Sequence, residues 1–395
     1  MLADLDDLRS IGGVGTGVAR PAFSDTDIEA RRSLAERMAE AGLDVSVDEV
    51  GNLFGVPPGD GPSLLVGSHS DTQPLGGWLD GALGVAAGLE IARAALDAGG
   101  PRIAVVSFQD EEGRFGGLTG SAVWSGRVAL AEVDGRRDGN GASFASLRRR
   151  SAEIAPVRST APDRFSGFLE MHIEQGPVLE SAGDVLGVVE TIVGVRTVEV
   201  RLEGEANHAG TTPMPLRRDA IQGLVAFAAA LNAAFARLAT ERTVWTLGRI
   251  VVEPNAPSIV PGTATVSVQT RDPETVRLDA LIGAAEDTAR RAAAGRGLGL
   301  TLTRGMSFDP TPMNGAFVTA LDAAARRVAP GRSRVMPSGA LHDATNLADL
   351  MPVGMLFVPS IGGISHNPRE DTKREHLAIG LRALAEAASA LAPRG

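Results

Sequence analysis

The chain has 395 residues, 44% hydrophobic and 22% charged, with a formal net charge of −10. Those are ordinary globular values at a length that predicts about two to three domains, so wholesale disorder and collagen-like structure are excluded. The acidic balance disfavours nucleic-acid partners, no apolar run approaches the ~18–20 residues of a membrane span, and MLADLDDLRS lacks the pattern of a signal peptide, which leaves a cytoplasmic location as the default.

In chain order, GGVGTG (12–17) reads as a loop, because no strand-like run precedes it as a dinucleotide cradle requires. Residues 27–43 carry helical periodicity, with Thr26 as N-cap, Glu29 completing a capping box and Gly42 as the stop. Two short strands, DVSVDEV and NLFGVP, come next. SLLVGSHSDT (63–72) reads as a buried strand with a polar end, 81–98 as a helix, and RIAVVSFQDEE (102–112) as a second buried strand. Apolar strands alternating with a helix predict a largely parallel, helix-covered sheet, in which ligands gather outside the carboxyl ends of the strands. The basic cluster Arg136, Arg137, Arg148, Arg149 and Arg150 reads as a solvated surface.

From Gly194 the pattern changes. Strand 195–202, helix 217–238, strands 243–252 and 263–271, helix 273–293 and strand 298–305 give the order βαββαβ, the ferredoxin-like split unit. Helix 313–328, strand 353–360 and helix 376–392 close the chain. The predicted fold class is α/β: a discontinuous catalytic domain, 1–193 plus 307–395, with an inserted ferredoxin-like α+β domain, 194–306.

Absences narrow the chemistry. Without cysteine there is no thiol nucleophile, disulfide or Cys-type zinc site. The single lysine, Lys373, lies in no P-loop, and no G-x-S-x-G elbow occurs. Catalysis therefore falls to His, Asp, Glu and Arg. Five of the six histidines lie in polar clusters at strand ends or loops. His69 and Asp71 sit in GSHSDT, Asp80 in GGWLDG, Glu111 and Glu112 in FQDEEGRFGG, His172 and Glu174 in EMHIEQGP, and His366 in GISHNPRED. Imidazole with carboxylate is the ligand set of a divalent transition metal, zinc or manganese above all. Three histidines with at least two carboxylates exceed the needs of one catalytic zinc and suggest a two-metal site sharing a carboxylate. Taken singly, each His reads more readily as a hydrogen-bonded core residue and the paired Glu as a solvated face. Their co-occurrence in a histidine-poor chain decides for metal.

These segments, with ANHAGTTPMPLRRDA and SGALHDA, resemble in order the amidohydrolases of N-carbamoyl amino acids, allantoate and β-ureidopropionate, a branch of the aminoacylase-type dinuclear metallopeptidases. The resemblance implies a zinc-peptidase-like catalytic domain whose ligands are His69, Asp80, Glu112, His172 and His366. Asp80 would bridge two divalent ions, Zn, Mn, Co or Ni, and Glu111 would be the general base. The inserted domain is implied to be a lid that also forms a homodimer. His208 of ANHAGTTP would stabilise the oxyanion, reaching the active site of the partner subunit, and Arg271 of QTRD would meet a substrate carboxylate. Gln175 and Gly363 fall among the implied substrate contacts, while Val195 and Ser258 stand where the family usually has Gln and Asn.

Asp71 is placed to orient His69 or, alternatively, to stabilise a turn. His342, in SGALHDA, is left between a structural and a functional role, and His376 reads as surface. The expected activity is metal-dependent C–N hydrolysis of a small anionic N-carbamoyl or related N-acyl amino acid. An aminoacylase or dipeptidase of the same group is the alternative. A binding protein on a dead hydrolase scaffold is disfavoured, because Glu111 and every ligand position are present.

Overall fold

Seven-residue SLLVGSH and six-residue IAVVSF have no polar face, and both form completely buried strands, Ser63–His69 and Ile103–Phe108. A computed structural model describes residues 1–393. The chain divides into two compact units, one comprising Met1–Glu190 and the chain from Pro312 onward, the other Thr191–Thr311.

The centre of the first unit is a parallel four-strand run in the order Val353–Val358, Phe165–Ile173, Ser63–His69, Ile103–Phe108. Antiparallel strands flank it: Leu186–Ile192 beside Val353–Val358, and Leu53–Val56 then Asp44–Val47 beyond Ile103–Phe108. Helix Ala82–Asp97 packs on the middle strands, while Gly315–Val328 and Arg374–Leu391 pack on Val353–Val358. Leu64, Val66, Leu83, Leu169, Leu356 and Leu384 lie in one continuous buried core. Strands buried on both faces by helices are what near-continuous apolar runs specify.

In the second unit four antiparallel strands lie in the order Val244–Glu253, Thr263–Asp272, Gly194–Glu203, Gly299–Phe308. Burial alternates strictly along Thr263–Asp272. Val198, Val200, Ala264, Val266 and Val268 share a core with Phe227 and Phe235 of helix Ala220–Leu238 and with Leu281 of helix Thr275–Ala294. Asn207–His208 and Ile259–Val260 form a separate two-stranded ladder.

Several expectations need correction. The first long helix begins at Asp25, and its N-cap is Ser24, whose Oγ accepts from the Asp27 N–H; Thr26 instead donates to the Ala19 carbonyl. Phe23, in the left-handed region at φ 58°, and its N–H bond to the Asp27 carboxylate at 2.6 Å set this earlier start. The 12–17 stretch contains a short hairpin, Gly13–Val14 with Gly17–Val18. His376 is buried, not surface, because helix Arg374–Leu391 starts two residues earlier and turns it inward next to buried Leu377. Ala220–Leu238 is long and apolar enough by composition to cross a membrane, contrary to expectation, but it packs Leu224, Phe227, Leu231 and Phe235 onto its own sheet. Arg136, Arg148 and Arg150 are ion-paired with Glu132, Asp134 and Asp25 at 2.6–2.8 Å and are only partly exposed.

Candidate metal centre

Parallel register brings the polar strand ends to one level. His69 is opposite Phe108, so Asp110, Glu111 and Glu112 begin immediately beyond it, and His172 is opposite Phe357, one residue before its strand ends. Asp80 reaches the same place from the turn before helix Ala82–Asp97. Gly81, at φ 64°, is required there, because a Cβ would collide with the His69 ring. Asp80 Oδ1 lies 3.0 Å from His172 Nε2 and 3.8 Å from His69 Nε2. Its Oδ2 lies 3.3 Å from His366 Nε2, which is 3.5 Å from Glu112 Oε2.

Three donor sets lie here among the described residues, Glu170–His172–His342 and, sharing a carboxylate, the two sets His69–Asp80–His172 and Asp80–Glu112–His366, with the ligand atoms of each within 4.8 Å of one another. Asp80 belongs to both of the latter. The Nδ1 atoms of His69 and His172 lie 3.0 and 2.8 Å from the Asp71 and Ile173 carbonyls. A carbonyl only accepts, so the proton of each neutral ring sits on Nδ1 and the Nε2 lone pair faces Asp80.

The electrostatics call for positive charge. Burial pulls the His69 pKa down, but Glu111, Asp71 and Asp80 outweigh it and hold the imidazole well above its usual value. The Asp80 hydrogen bond, opposed by burial and aided by Glu112, raises His366 to about 9. Burial drives Glu111 well above the usual carboxylate range, with Asp343, Glu112 and Asp80 adding to it against His69. Burial and Asp80 also raise Glu112. Burial would raise Asp80 too, but His172 and His366 hold it well below. Imidazole and carboxylate donors in excess of local cations fit divalent metal binding by these residues.

A measurable consequence concerns protons. With His366 held near 9, the metal-free protein carries that imidazole protonated at neutral pH, and an ion that takes His366 as a ligand must displace the proton. Apparent ion affinity should therefore rise with pH through that value. Calorimetric titration in buffers of different ionisation enthalpy should show proton release. Isotherms independent of pH and buffer would contradict the assignment of His366 as a ligand.

Residues 65–390 match Peptidase family M20/M25/M40. The chain belongs to this family. An N-carbamoyl-L-amino-acid amidohydrolase of Pseudomonas sp. (strain NS671) is 35% identical over 96% of this chain and 95% of its own. An allantoate amidohydrolase of Escherichia coli (strain K12) is 37% identical over 93% and 92%. A crystal structure of an amidase of the hydantoinase/carbamoylase family from Burkholderia phymatum superposes with a TM-score of 0.92 at 43% identity, covering 98% of this chain and 96% of the other. Within the family, this chain is a hydrolase of non-peptide C–N bonds, on the branch of the amidohydrolases. Metal dependence goes with the family.

Around the donor sets the M20/M25/M40 chain builds a scaffold that only partly matches expectation. The Asp71 carboxylate is 3.5 Å from His69 Nδ1, farther than its own carbonyl, and it accepts the backbone N–H groups of Glu111 and Glu112 at 3.4 and 3.2 Å. It thus ties the two glutamates to the His69 loop. Glu174 is not among the donors: it accepts the N–H groups of Val178 and Leu179 at 2.7 and 2.8 Å at a helix start. Gln175, at φ 58°, donates its amide to Asp80 Oδ2 at 2.9 Å, and Gly363 packs against Pro177 two residues on. His342 is buried, with Nε2 2.9 Å from Ser338 Oγ and its ring 4.6 Å from that of His172. Burial first, then His172, holds it well below its usual pKa, hence neutral.

Other contributors escaped the sequence reading. Gln73 donates to Glu112 Oε2 at 2.7 Å. Buried Arg20 binds the Ser70 carbonyl at 2.7 Å, and buried Arg31 binds Ser107 Oγ at 3.0 Å, pinning the ends of the two central strands. Gln73, directly after HSDT, was visible from its position; the arginines were indistinguishable from surface ones.

The remaining expected residues lie in the Thr191–Thr311 unit. His208 is exposed, and Ser258 is beside it: the Ser258 carbonyl accepts the Ala209 N–H at 3.0 Å. Arg271 donates Nε and a terminal nitrogen to Gln269 Oε1, each at 3.2 Å. Val195 is its cross-strand neighbour and is fully buried, so it acts as backing for Arg271 and offers no surface to a ligand.

Proposed function

We propose that this protein hydrolyses the C–N bond of a small anionic N-carbamoyl (ureido) amino acid or a close relative. The observation that carries this reading is one carboxylate, Asp80, common to two donor sets, with Glu111 alongside but outside both. His69, Asp80 and His172 would hold one divalent ion, and Asp80, Glu112 and His366 the second. When bound, such ions lower the pKa of water and polarise a carbonyl oxygen, which an unreactive ureido carbonyl requires.

Glu111 takes a proton from the attacking water and passes it to the departing nitrogen, a task suited to a largely buried carboxylate of raised pKa. Arg271 pairs with the substrate carboxylate in two parallel bonds, and His208 donates to the developing oxyanion. Gln175 and Gly363 line the substrate's place near Asp80. The two chains of a homodimer meet through the Thr191–Thr311 unit. Its edge strand Val244–Glu253 exposes Val244 and Ile250, and the nearby helix Ala220–Leu238 exposes uncharged Val225, Ala229, Ala230 and Ala233. Apolar surface at an unpaired sheet edge is what a second copy would cover.

Assays of ammonia and free amino acid across carbamoyl, formyl and acetyl compounds should show turnover with ammonia release on carbamoyl substrates. Chelation should abolish it, and manganese, cobalt, nickel or zinc should restore it. Cleavage of acetyl compounds or dipeptides without ammonia would favour an aminoacylase or dipeptidase. Full activity in metal-free protein would sink the two-ion reading.

A further inference from the structure

We propose that Glu370 is a positioning residue that builds the second ion position by locking the Asp80 turn to the His366 loop, an inference that rests on the two-ion reading above. Glu370 is buried and belongs to neither donor set. Its Oε1 accepts the backbone N–H groups of Leu79 and Asp80, each at 3.1 Å. Its Oε2 accepts the Ser365 hydroxyl at 3.0 Å, and that same hydroxyl lies 3.3 Å from Asp80 Oδ2. One carboxylate thus joins two segments that are 285 residues apart, each carrying a ligand for the same ion. The space is shaped for it: a Cβ on Gly77 would overlap the Glu370 carboxylate.

The need for such a lock falls on His366. Side chains of His69 and His172 are 2% and 1% exposed, stand at strand ends, and are each oriented by a backbone carbonyl. The His366 side chain is 51% exposed, on a loop, with its backbone in the left-handed region at φ 52°. A non-glycine residue keeps that conformation only where its surroundings over-determine it. Glu370 supplies this twice, through Ser365 on one side of His366 and through its own N–H on the Asn367 carbonyl at 2.9 Å on the other. The His69–Asp80–His172 set shares Asp80 but contains no residue of this loop, so loss of Glu370 should weaken the second ion more than the first.

The test is titration of metal-free full-length protein with Mn²⁺ alone, followed by calorimetry, with melting curves to confirm folding. Wild type should bind two ions per chain. Glu370→Ala should weaken the second by roughly 10–100-fold, the cost typical of removing an outer-shell partner, and the first by clearly less. Glu370→Gln retains an acceptor oxygen for the Leu79 and Asp80 N–H groups and should recover part of that loss. His366→Ala should remove the second ion outright. If Glu370→Ala does not fold, Ser365→Ala, which deletes only the hydroxyl link, should weaken the second ion in the same direction. Unchanged affinity for both ions in the folded variant, or equal weakening of both, would overturn the proposal. A wild-type protein that binds fewer than two ions would overturn the two-ion reading itself, and the proposal with it.

Discussion

Glu111→Gln should retain both ions and lose turnover by roughly 10²–10⁴-fold, while Glu112→Gln should lose occupancy of the second ion. The two residues are adjacent in sequence and chemically identical, so the difference must come from their surroundings. Glu112 faces Asp80 and His366 within one donor set, and the Gln73 amide fixes its other side at 2.7 Å. The Glu111 carboxylate accepts no hydrogen bond among the described residues; its ion-pair contact is with His69 Nε2 at 3.6 Å. A carboxylate left without donors in a buried site retains its affinity for a proton. Gln preserves size and an acceptor oxygen but cannot take a proton, so the substitution isolates proton transfer from architecture. Metal content per chain, measured beside kcat, checks both variants. If Glu111→Gln loses metal and Glu112→Gln keeps it, the roles are reversed.

The strand ends were legible because burial and chemistry change at the same residue. SLLVGSH stays apolar until it becomes polar at the sheet's carboxyl edge, and IAVVSF does so before Asp110. His172 was recognised as a candidate although its strand, Phe165–Ile173, was not predicted: Glu170 and Ser166 break the apolar run that marks a buried strand. Glu170 is tolerated there because Ser68 donates to it at 2.6 Å, a pairing from a strand a hundred residues away that no local pattern contains. Arg31 illustrates the same limit. In DIEARRSLAERMAE it reads as one of several charges on an exposed helix face, yet it is fully buried and bound to the Gly51 carbonyl at 2.5 Å. Glu370 was hidden in PRED, a run that looks solvated. Sequence patterns report which face of an element is apolar; they do not report which polar side chains are buried by partners from distant segments.

His208→Ala and Arg271→Ala should each be inactive alone, and each should regain activity when mixed with Glu111→Gln subunits. His208 accepts the Gly210 and Thr211 N–H groups on Nδ1 at 3.0 and 3.2 Å, so the neutral ring carries its proton on Nε2. That leaves a fixed donor on an exposed ladder, which is what stabilising an oxyanion requires. Arg271 is held by Gln269 and backed by buried Val195 in the same unit. If the homodimer delivers these groups to the partner's metal centre, a hybrid of one His208→Ala chain and one Glu111→Gln chain contains one intact composite site. Random pairing of equal amounts makes half of the dimers hybrid, so recovery should reach about a quarter of wild-type activity. The loss in Arg271→Ala should be greatest for substrates with a free carboxylate, because the paired contact with the guanidinium is lost. Subunit exchange can be followed independently with chains of different tags. No recovery despite demonstrated exchange would mean that each chain supplies its own His208 and Arg271, and the edge strand Val244–Glu253 would then have no part in catalysis.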